Sequence, residues 1–326
     1  MGHCSYLPRM VNESLNDGSE TLHAPQGDAA PRQTVETAAS VDGRGRVADT
    51  GVDASARPRF RSAVRVFLLW LLLAFMVGGL VGTGLGVWLW MAVTGSPGFQ
   101  FDPGTLTIAS LDPGMLVVAT LSSLLATSVV GYVLHGVESK RWWPSKPADG
   151  RLLAKRVAAG AVIGAASVAA LQLVAWAVSL VGVRLESTDT STSVVGMLRW
   201  SMSSSLPWLF VPALLATVGV IGPVAEELVF RGVIGRVVVD SGLARGSDGS
   251  RSAAQTFAAC LVAGLFFGLP HVTGLSASGL EGAVAMTLFG ALLTWLSSVR
   301  TRSLAPAIAA HVTLNTAQLL LALATL

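Results

Sequence analysis

The chain has 326 residues, of which 52% are hydrophobic and only 13% charged, and its mean hydropathy is +0.62. Soluble domains carry about 25% charged residues, so a chain this long and this apolar needs lipid around much of its surface. The net charge of +3 gives no case for a nucleic-acid partner. The two cysteines, Cys4 and Cys260, are far apart and indicate neither a disulfide framework nor a cysteine-based zinc site.

Residues 1–60 differ from the rest, because they are rich in small, polar and charged residues and predict a disordered tail. Seven apolar runs follow, at about 66–93, 115–134, 157–183, 206–239, 253–270, 282–298 and 304–326. We interpret them as membrane spans and the intervening segment 184–205 as a polar loop. The predicted fold is therefore an all-α, polytopic transmembrane helical bundle with seven spans, or eight if Gly222 and Pro223 break the fourth run.

Basic residues cluster in the segments 57–65, 136–156, 236–251 and 300–302, which all fall on one side of a seven-span arrangement. The positive-inside rule predicts that this side, with the N-terminal tail, is cytoplasmic. We expect an integral membrane protein with lipid as a partner, located in the plasma membrane if the protein is prokaryotic.

Two carboxylates are flanked by apolar sequence on both sides, in the motif G-P-V-A-E-E-L-V-F-R-G that begins at Gly222. A charge at the centre of a membrane helix costs about 2.5–3.5 kcal/mol even on the lower scales, so Glu226 and Glu227 indicate function. Glu227 and Arg231 share a helix face and are expected to pair. Glu226 is turned about 100° from Glu227 and needs another partner.

Three histidines follow residue 60, namely His135, His271 and His311. His135 borders a basic loop and is interpreted as a solvated interface residue. His271 ends an apolar run, and Phe267 lies one turn before it, where it can pack against the imidazole. His311 lies within the last run, with Asn315 on the same helix face.

These groups support several interpretations. A carboxylate and an imidazole can hold and deprotonate a water, while a second imidazole and an amide can stabilise an oxyanion. Alternatively, Glu226, His271 and His311 could bind a zinc ion. A third interpretation is an ion-paired cluster that only locks helices together. The motifs H-E-x-x-H and G-x-S-x-G are absent, as is a Walker loop, which disfavours an ATP-driven pump.

The order of three motifs resembles the CPBP family of intramembrane proteases, also called the ABI or CAAX-protease family, which includes the Rce1-type CAAX prenyl endopeptidases. The motifs are E-E-x-x-x-R at 226–231, F-x-x-x-H at 267–271 and H-x-x-x-N at 311–315. The stretch S-L-A-P-A-I-A-A-H-V-T-L-N at 303–315 resembles the last family motif closely. The resemblance covers about 206–320.

The resemblance implies that Glu226 activates a water and that His271 helps to hold it. It further implies that His311 and Asn315 stabilise the oxyanion, with Glu227 and Arg231 completing the first motif. The implied organisation is a tail (1–60), N-terminal transmembrane helices (61–205) and a catalytic membrane domain (206–326). The substrate would be a membrane-associated protein or peptide, and the cofactor either none or Zn²⁺.

Two other hypotheses stay open at this stage. A non-enzymatic scaffold or bacteriocin-immunity-type protein could keep the same fold, and a proton-coupled transporter could use the same Glu and His. The transporter predicts inverted repeats, which are not apparent. A simple topology also separates His271 and His311 by more than about 10 Å in depth, at 1.5 Å per residue. The enzyme hypothesis therefore requires the two imidazoles to meet.

Overall fold

The structure is a computed structural model that describes residues 60–102, 104, 107–142, 149–180, 189–241, 252–272 and 277–326. The predicted disordered tail, with Cys4, lies outside these residues apart from Phe60, which begins the first helix. All described residues belong to one unit, Asp53–Leu326.

Seven helical segments of the described chain are long and apolar enough to cross a membrane, which confirms the predicted all-α, polytopic fold with seven spans. The spans are Phe60–Thr94, Pro113–Glu138, Gly150–Leu173, Pro207–Asp240, Ala253–His271, Glu281–Arg300 and Ala305–Ala324. The α-helices are α1 (Phe60–Leu73), α2 (Thr83–Thr94), α3 (Pro113–Trp142), α4 (Gly150–Leu180), α5 (Asp189–Ser203), α6 (Pro207–Ala216), α7 (Gly222–Val229), α8 (Arg236–Asp240), α9 (Ala253–Gly268), α10 (Ala277–Thr294) and α11 (Ala305–Ala324).

The fourth span is continuous, so Gly222 and Pro223 do not divide it into two helices. Pro223 lies in the first turn of α7, where its missing N–H is tolerated. Two π-helical segments, Thr217–Ile221 and Phe230–Gly235, flank α7 on either side. Such π segments frequently mark functional sites in helices.

The segment predicted as a polar loop at 184–205 contains α5, which corrects that expectation. Met197, Leu198 and Ser201 are buried at a helical spacing, and the indole of Trp200 packs against Trp90. The spacing is the sign of an amphipathic helix, although α5 is too short and too polar to be a span. The spacing of these three residues therefore indicated a helix, but the polar residues around them led to the prediction of a loop.

A two-stranded antiparallel hairpin joins the first two spans. Strands β1 (Phe99–Asp102) and β2 (Thr107–Leu111) pair Phe99 with Leu111 at one end. Gly95 ends α2 and adopts a left-handed φ of 71°, a conformation that a residue with a Cβ rarely adopts.

An aromatic core joins α1, α9 and the π segment of the fourth span. The ring of Phe230 contacts Trp70 at a centroid separation of 4.8 Å and Phe267 at 5.2 Å. Phe67 packs against Phe266 at 5.0 Å. These edge-on and tilted contacts are the preferred arrangements of aromatic pairs, and they fix α9 beside the helix that carries the two carboxylates.

Two glycines allow α4 and α11 to approach closely. A Cβ built on Gly160 would overlap the carbonyl oxygen of Pro306, and one built on Gly164 would overlap that of Ala310. This is the small-residue packing that drives association of helices in lipid. Because Ala310 precedes His311, the contact sets the position of that imidazole.

We expect Gly164→Leu to lower the free energy of unfolding by about 1–3 kcal/mol, since the new side chain would meet the backbone of α11. Unfolding in mixed micelles titrated with SDS measures the change. Gly84→Leu is the matched control, because a Cβ at Gly84 meets nothing within 4 Å. Equal losses in the two variants would contradict the proposed close packing.

Candidate active site

The two carboxylates on α7 have different environments. Glu227 is completely buried, whereas the side chain of Glu226 is 33% exposed. The helical turn between them explains the difference, since adjacent residues on an α-helix point about 100° apart. Glu226 is therefore the carboxylate that a small molecule or a substrate can reach.

His311 on α11 lies between the two carboxylates. Its Nδ1 is 2.8 Å from Oε1 of Glu227, and its Nε2 is 3.9 Å from Oε2 of Glu226. A carboxylate only accepts hydrogen bonds, so Nδ1–H of His311 donates to Glu227. This bond fixes the ring and leaves Nε2 directed towards Glu226. The rings of Phe267 and Phe289, each 5.6 Å away between centroids, enclose the imidazole.

Arg231 neutralises Glu227, as the sequence predicted. Its Nη1 lies 2.9 Å from Oε1 of Glu227, and both side chains are buried. The guanidinium also lies over the ring of Phe267, with Cζ 4.0 Å from the centroid, which is a cation–π contact. The same carboxylate oxygen thus contacts Arg231 and His311, and Phe267 contacts both of those side chains.

His271 joins the cluster through Phe267. The two rings are 4.9 Å apart between centroids, and Nδ1 of His271 donates to the carbonyl oxygen of Phe267 at 2.7 Å. A short 3₁₀ turn, Leu269–His271, folds the chain back after α9. The imidazoles of His271 and His311 consequently both contact the ring of Phe267, which joins them in place of a direct contact between the two imidazoles.

Asn315 is directed to a different part of the fourth span. Its Nδ2 donates to the carbonyl oxygen of Val218 at 3.2 Å. Val218 precedes Glu226 by eight residues, or about 12 Å of helix. The structure therefore brings Glu226, Glu227 and His311 together, but it uses this amide to hold α11 against the fourth span.

The sequence interpretation of His135 as a solvated interface residue was wrong. His135 is only partly exposed, and its Nδ1 donates to the carbonyl oxygen of Leu228 at 3.1 Å. This contact joins α3 to the turn that follows the two carboxylates. Nothing in the sequence pairs residues 93 positions apart, so the contact could not be predicted.

The suggested zinc ligands do not fit a metal site. Within the described ranges, no group of three His, Cys, Asp or Glu side chains is placed to hold an ion. Glu226 and His311 approach each other, but His271 contacts the cluster through Phe267, and Nδ1 of His311 is already bonded to Glu227. The proposed set Glu226, His271 and His311 is therefore not assembled.

The depth of the cluster follows from the packing of α4. Gly164 contacts Ala310, the neighbour of His311. Gly164 follows the basic residue Arg156 by eight positions, a rise of about 12 Å, and this span continues for about 14 Å to Leu173. His311 thus lies beside the middle of the membrane-crossing part of α4.

The buried charges of the cluster are paired. Arg231 offsets the charge of Glu227, which reduces the cost of placing that carboxylate in a medium of low dielectric constant. The arrangement can hold a water beside Glu226 and His311, at the exposed face of Glu226. These are the elements of general acid–base chemistry.

Seven membrane-crossing helices around a buried carboxylate–imidazole cluster define a polytopic membrane protein with a candidate hydrolytic site. Residues 207–317, roughly a third of the chain, match the family model described as type II CAAX prenyl endopeptidase Rce1-like. This part of the chain is similar to that family of membrane proteases, and it contains all the residues of the cluster. No curated protein and no solved structure gives a significant match to the chain.

Proposed function

We propose that the chain is an intramembrane endopeptidase that hydrolyses a peptide bond of a membrane-associated protein or peptide. One observation carries the proposal: Glu226 combines a partly exposed carboxylate with an imidazole facing it at 3.9 Å. Glu227, which is fully buried, instead orients that imidazole through the bond to Nδ1. An exposed base beside an oriented imidazole is the arrangement that water activation requires.

A water can bind to both groups. The separation of 3.9 Å between Oε2 of Glu226 and Nε2 of His311 is too long for a hydrogen bond between them. It is shorter than twice a hydrogen-bond length of about 2.8 Å, so a water beside the two atoms can bond to each. The exposed face of Glu226 gives that water access to a substrate carbonyl.

In the proposed step, the water oxygen forms a bond to the carbonyl carbon of the scissile peptide while Glu226 accepts the proton. The carbonyl oxygen becomes an oxyanion, and Nε2–H of a protonated His311 donates to it. Glu227 stabilises the charge on that imidazole. Collapse of the intermediate breaks the C–N bond, and Glu226 returns its proton to the leaving amine.

The other predicted site residues have supporting roles in this proposal. The ring of His271 is anchored by Phe267, and its Nε2 contributes to orienting the water or the substrate. Asn315 holds α11, and with it His311, through the bond to Val218. Arg231 pairs with the same carboxylate oxygen of Glu227 that accepts from His311.

The substrate class follows from the position of the cluster and from the family description. A site among membrane-crossing helices favours a polypeptide that is anchored in or on the membrane. The family description names a prenyl endopeptidase acting at CAAX sequences. A farnesylated peptide that ends in a CAAX sequence is therefore the first compound to test.

Hydrolysis can be tested with the full-length protein reconstituted in liposomes. The substrates are a farnesylated CAAX peptide and a set of palmitoylated and transmembrane peptides, in buffer made with H₂¹⁸O. We expect fragments whose new carboxyl terminus carries one ¹⁸O, detected by mass spectrometry. Asp149→Asn is the matched control for the variant Glu226→Gln, because this exposed carboxylate caps α4 through the N–H of Arg151.

Each outcome of this experiment is informative. Cleavage of the other peptides but not of the farnesylated one would retain the peptidase and change its substrate class. Absence of fragments from every peptide, with a folded protein, would overturn the proposal and favour the non-enzymatic scaffold or immunity protein.

A further inference from the structure

A histidine from outside the matched family region contacts the backbone beside the two carboxylates. His135 lies on α3, and its Nδ1 donates to the carbonyl oxygen of Leu228, the residue that follows Glu227. One turn earlier, Gly131 packs against Ala225, the residue that precedes Glu226. The same face of α3 therefore contacts the backbone on both sides of the carboxylate pair.

The contacted carbonyl lies where the helix changes type. Leu228 is near the end of α7, and the π segment Phe230–Gly235 begins two residues later. A π segment changes the backbone hydrogen bonds from i+4 to i+5, so the positions after the junction are rotated relative to those before it. Glu226 and Glu227 precede this junction and Arg231 follows it, which makes the junction decisive for their relative orientation.

The chain makes room for the imidazole at this point. A Cβ built on Gly232 would lie 2.7 Å from Nδ1 of His135 and 2.9 Å from its Cε1. Real Cβ atoms do not approach a ring so closely, so a larger residue at this position would displace the ring that bonds to Leu228. His135 and Gly232 thus form one contact, with the donor on α3 and the space for it on the π segment.

We propose that His135 is a positioning residue of the site: by bonding to Leu228 at the α-to-π junction, it sets the orientation of Glu227 relative to Arg231 and His311. His135 touches neither the carboxylates nor the imidazole of His311 and acts through the backbone. For its kinetic consequences the inference rests on the proposed peptidase function. Its structural consequence, the orientation of His311, does not depend on that function.

The kinetic test compares His135→Phe, which keeps the ring volume and removes the donor, with His135→Gln, whose amide N–H can still donate. We expect His135→Phe to lower kcat about 10- to 100-fold with little change in KM, because small displacements of catalytic groups reduce the rate rather than the binding. His135→Gln is expected to restore most of the lost kcat. Gly232→Ala should resemble His135→Phe, since its methyl group displaces the ring.

The matched control is Ser128→Ala on the same helix. Ser128 is buried, and its Oγ donates to the carbonyl oxygen of Leu124, so its loss removes a hydrogen bond that lies within α3 and does not reach α7. Ring-nitrogen NMR of protein labelled with [¹⁵N]histidine, with the His311 signals assigned from His311→Gln, reports the orientation of His311 directly. We expect these signals to shift in His135→Phe and to be unchanged in Ser128→Ala.

The inference would be overturned if His135→Phe gave the same His311 signals as Ser128→Ala, or if His135→Gln lost as much kcat as His135→Phe. Failure of the proposed function alone would give a different pair of results. In that case the unmodified protein would cleave no peptide, while the His311 signals would still shift in His135→Phe and establish His135 as a positioning residue.

Discussion

Glu226→Gln is expected to reduce peptide hydrolysis about 10²- to 10⁴-fold, the usual contribution of a general base. Glutamine has almost the same shape as glutamate but cannot take a proton from water. The fold should persist, because the Glu226 side chain is one-third exposed and its imidazole partner is 3.9 Å away. Initial rates on a cleaved peptide, with circular dichroism and thermal unfolding as measures of folding, check both parts.

Two further variants make this result specific. Glu226→Asp retains a base but withdraws it by one methylene group, so we expect an intermediate loss of about 10²-fold, as for a displacement of about 1 Å. Asp149→Asn makes the same chemical change at an exposed position and should leave the rate unchanged. Full activity in Glu226→Gln would contradict the proposed mechanism, whatever the substrate is.

Most of the fold was predictable because lipid exposure imposes long apolar runs on the sequence. A span needs about 20 apolar residues, and that requirement located all seven segments. Five of them agree with the structure to within about four residues, but the first begins six residues earlier, at Phe60, and the third covers Gly150–Leu173 rather than 157–183. The sequence did not predict α5 because this helix has no long apolar run. This amphipathic helix of 15 residues carries Asp189 and Arg199 among other polar side chains, so only the spacing of Met197, Leu198 and Ser201 indicates it.

The candidate site was predictable only where its contacts are local. The ion pair of Glu227 with Arg231 follows from a spacing of four residues, and the packing of Phe267 on His271 does as well. The bond from His311 to Glu227 joins residues 84 positions apart, and no pattern in one sequence indicates it. The sequence therefore identified the residues of the site, but it paired Glu227 only with Arg231 and not with His311.

Arg231→Met should have the largest effect on stability, about 3–5 kcal/mol, because it leaves the buried carboxylate of Glu227 without its cation. Both side chains are buried, and the ion pair is 2.9 Å long. Glu227→Gln should cost a similar amount, since it leaves a guanidinium buried. Unfolding of each variant in SDS titrations measures the loss.

The double variant Glu227→Gln with Arg231→Met shows whether the two side chains stabilise the fold by neutralising each other. Removing both charges leaves no uncompensated ion, so we expect the double variant to be more stable than either single variant. Arg65→Met is the control, because Arg65 is mostly exposed and pairs with Glu138 at 3.9 Å; its loss should cost about 0–1 kcal/mol.

The stability and the activity of the double variant should diverge. His311 would lose the carboxylate that accepts from Nδ1 and stabilises its protonated form, so the recovered protein should hydrolyse peptides no faster than the single variants. Additive losses of stability would show that Glu227 and Arg231 do not interact. A stable and active double variant would show that Glu227 serves only to neutralise Arg231, and the orientation of His311 would then need another cause.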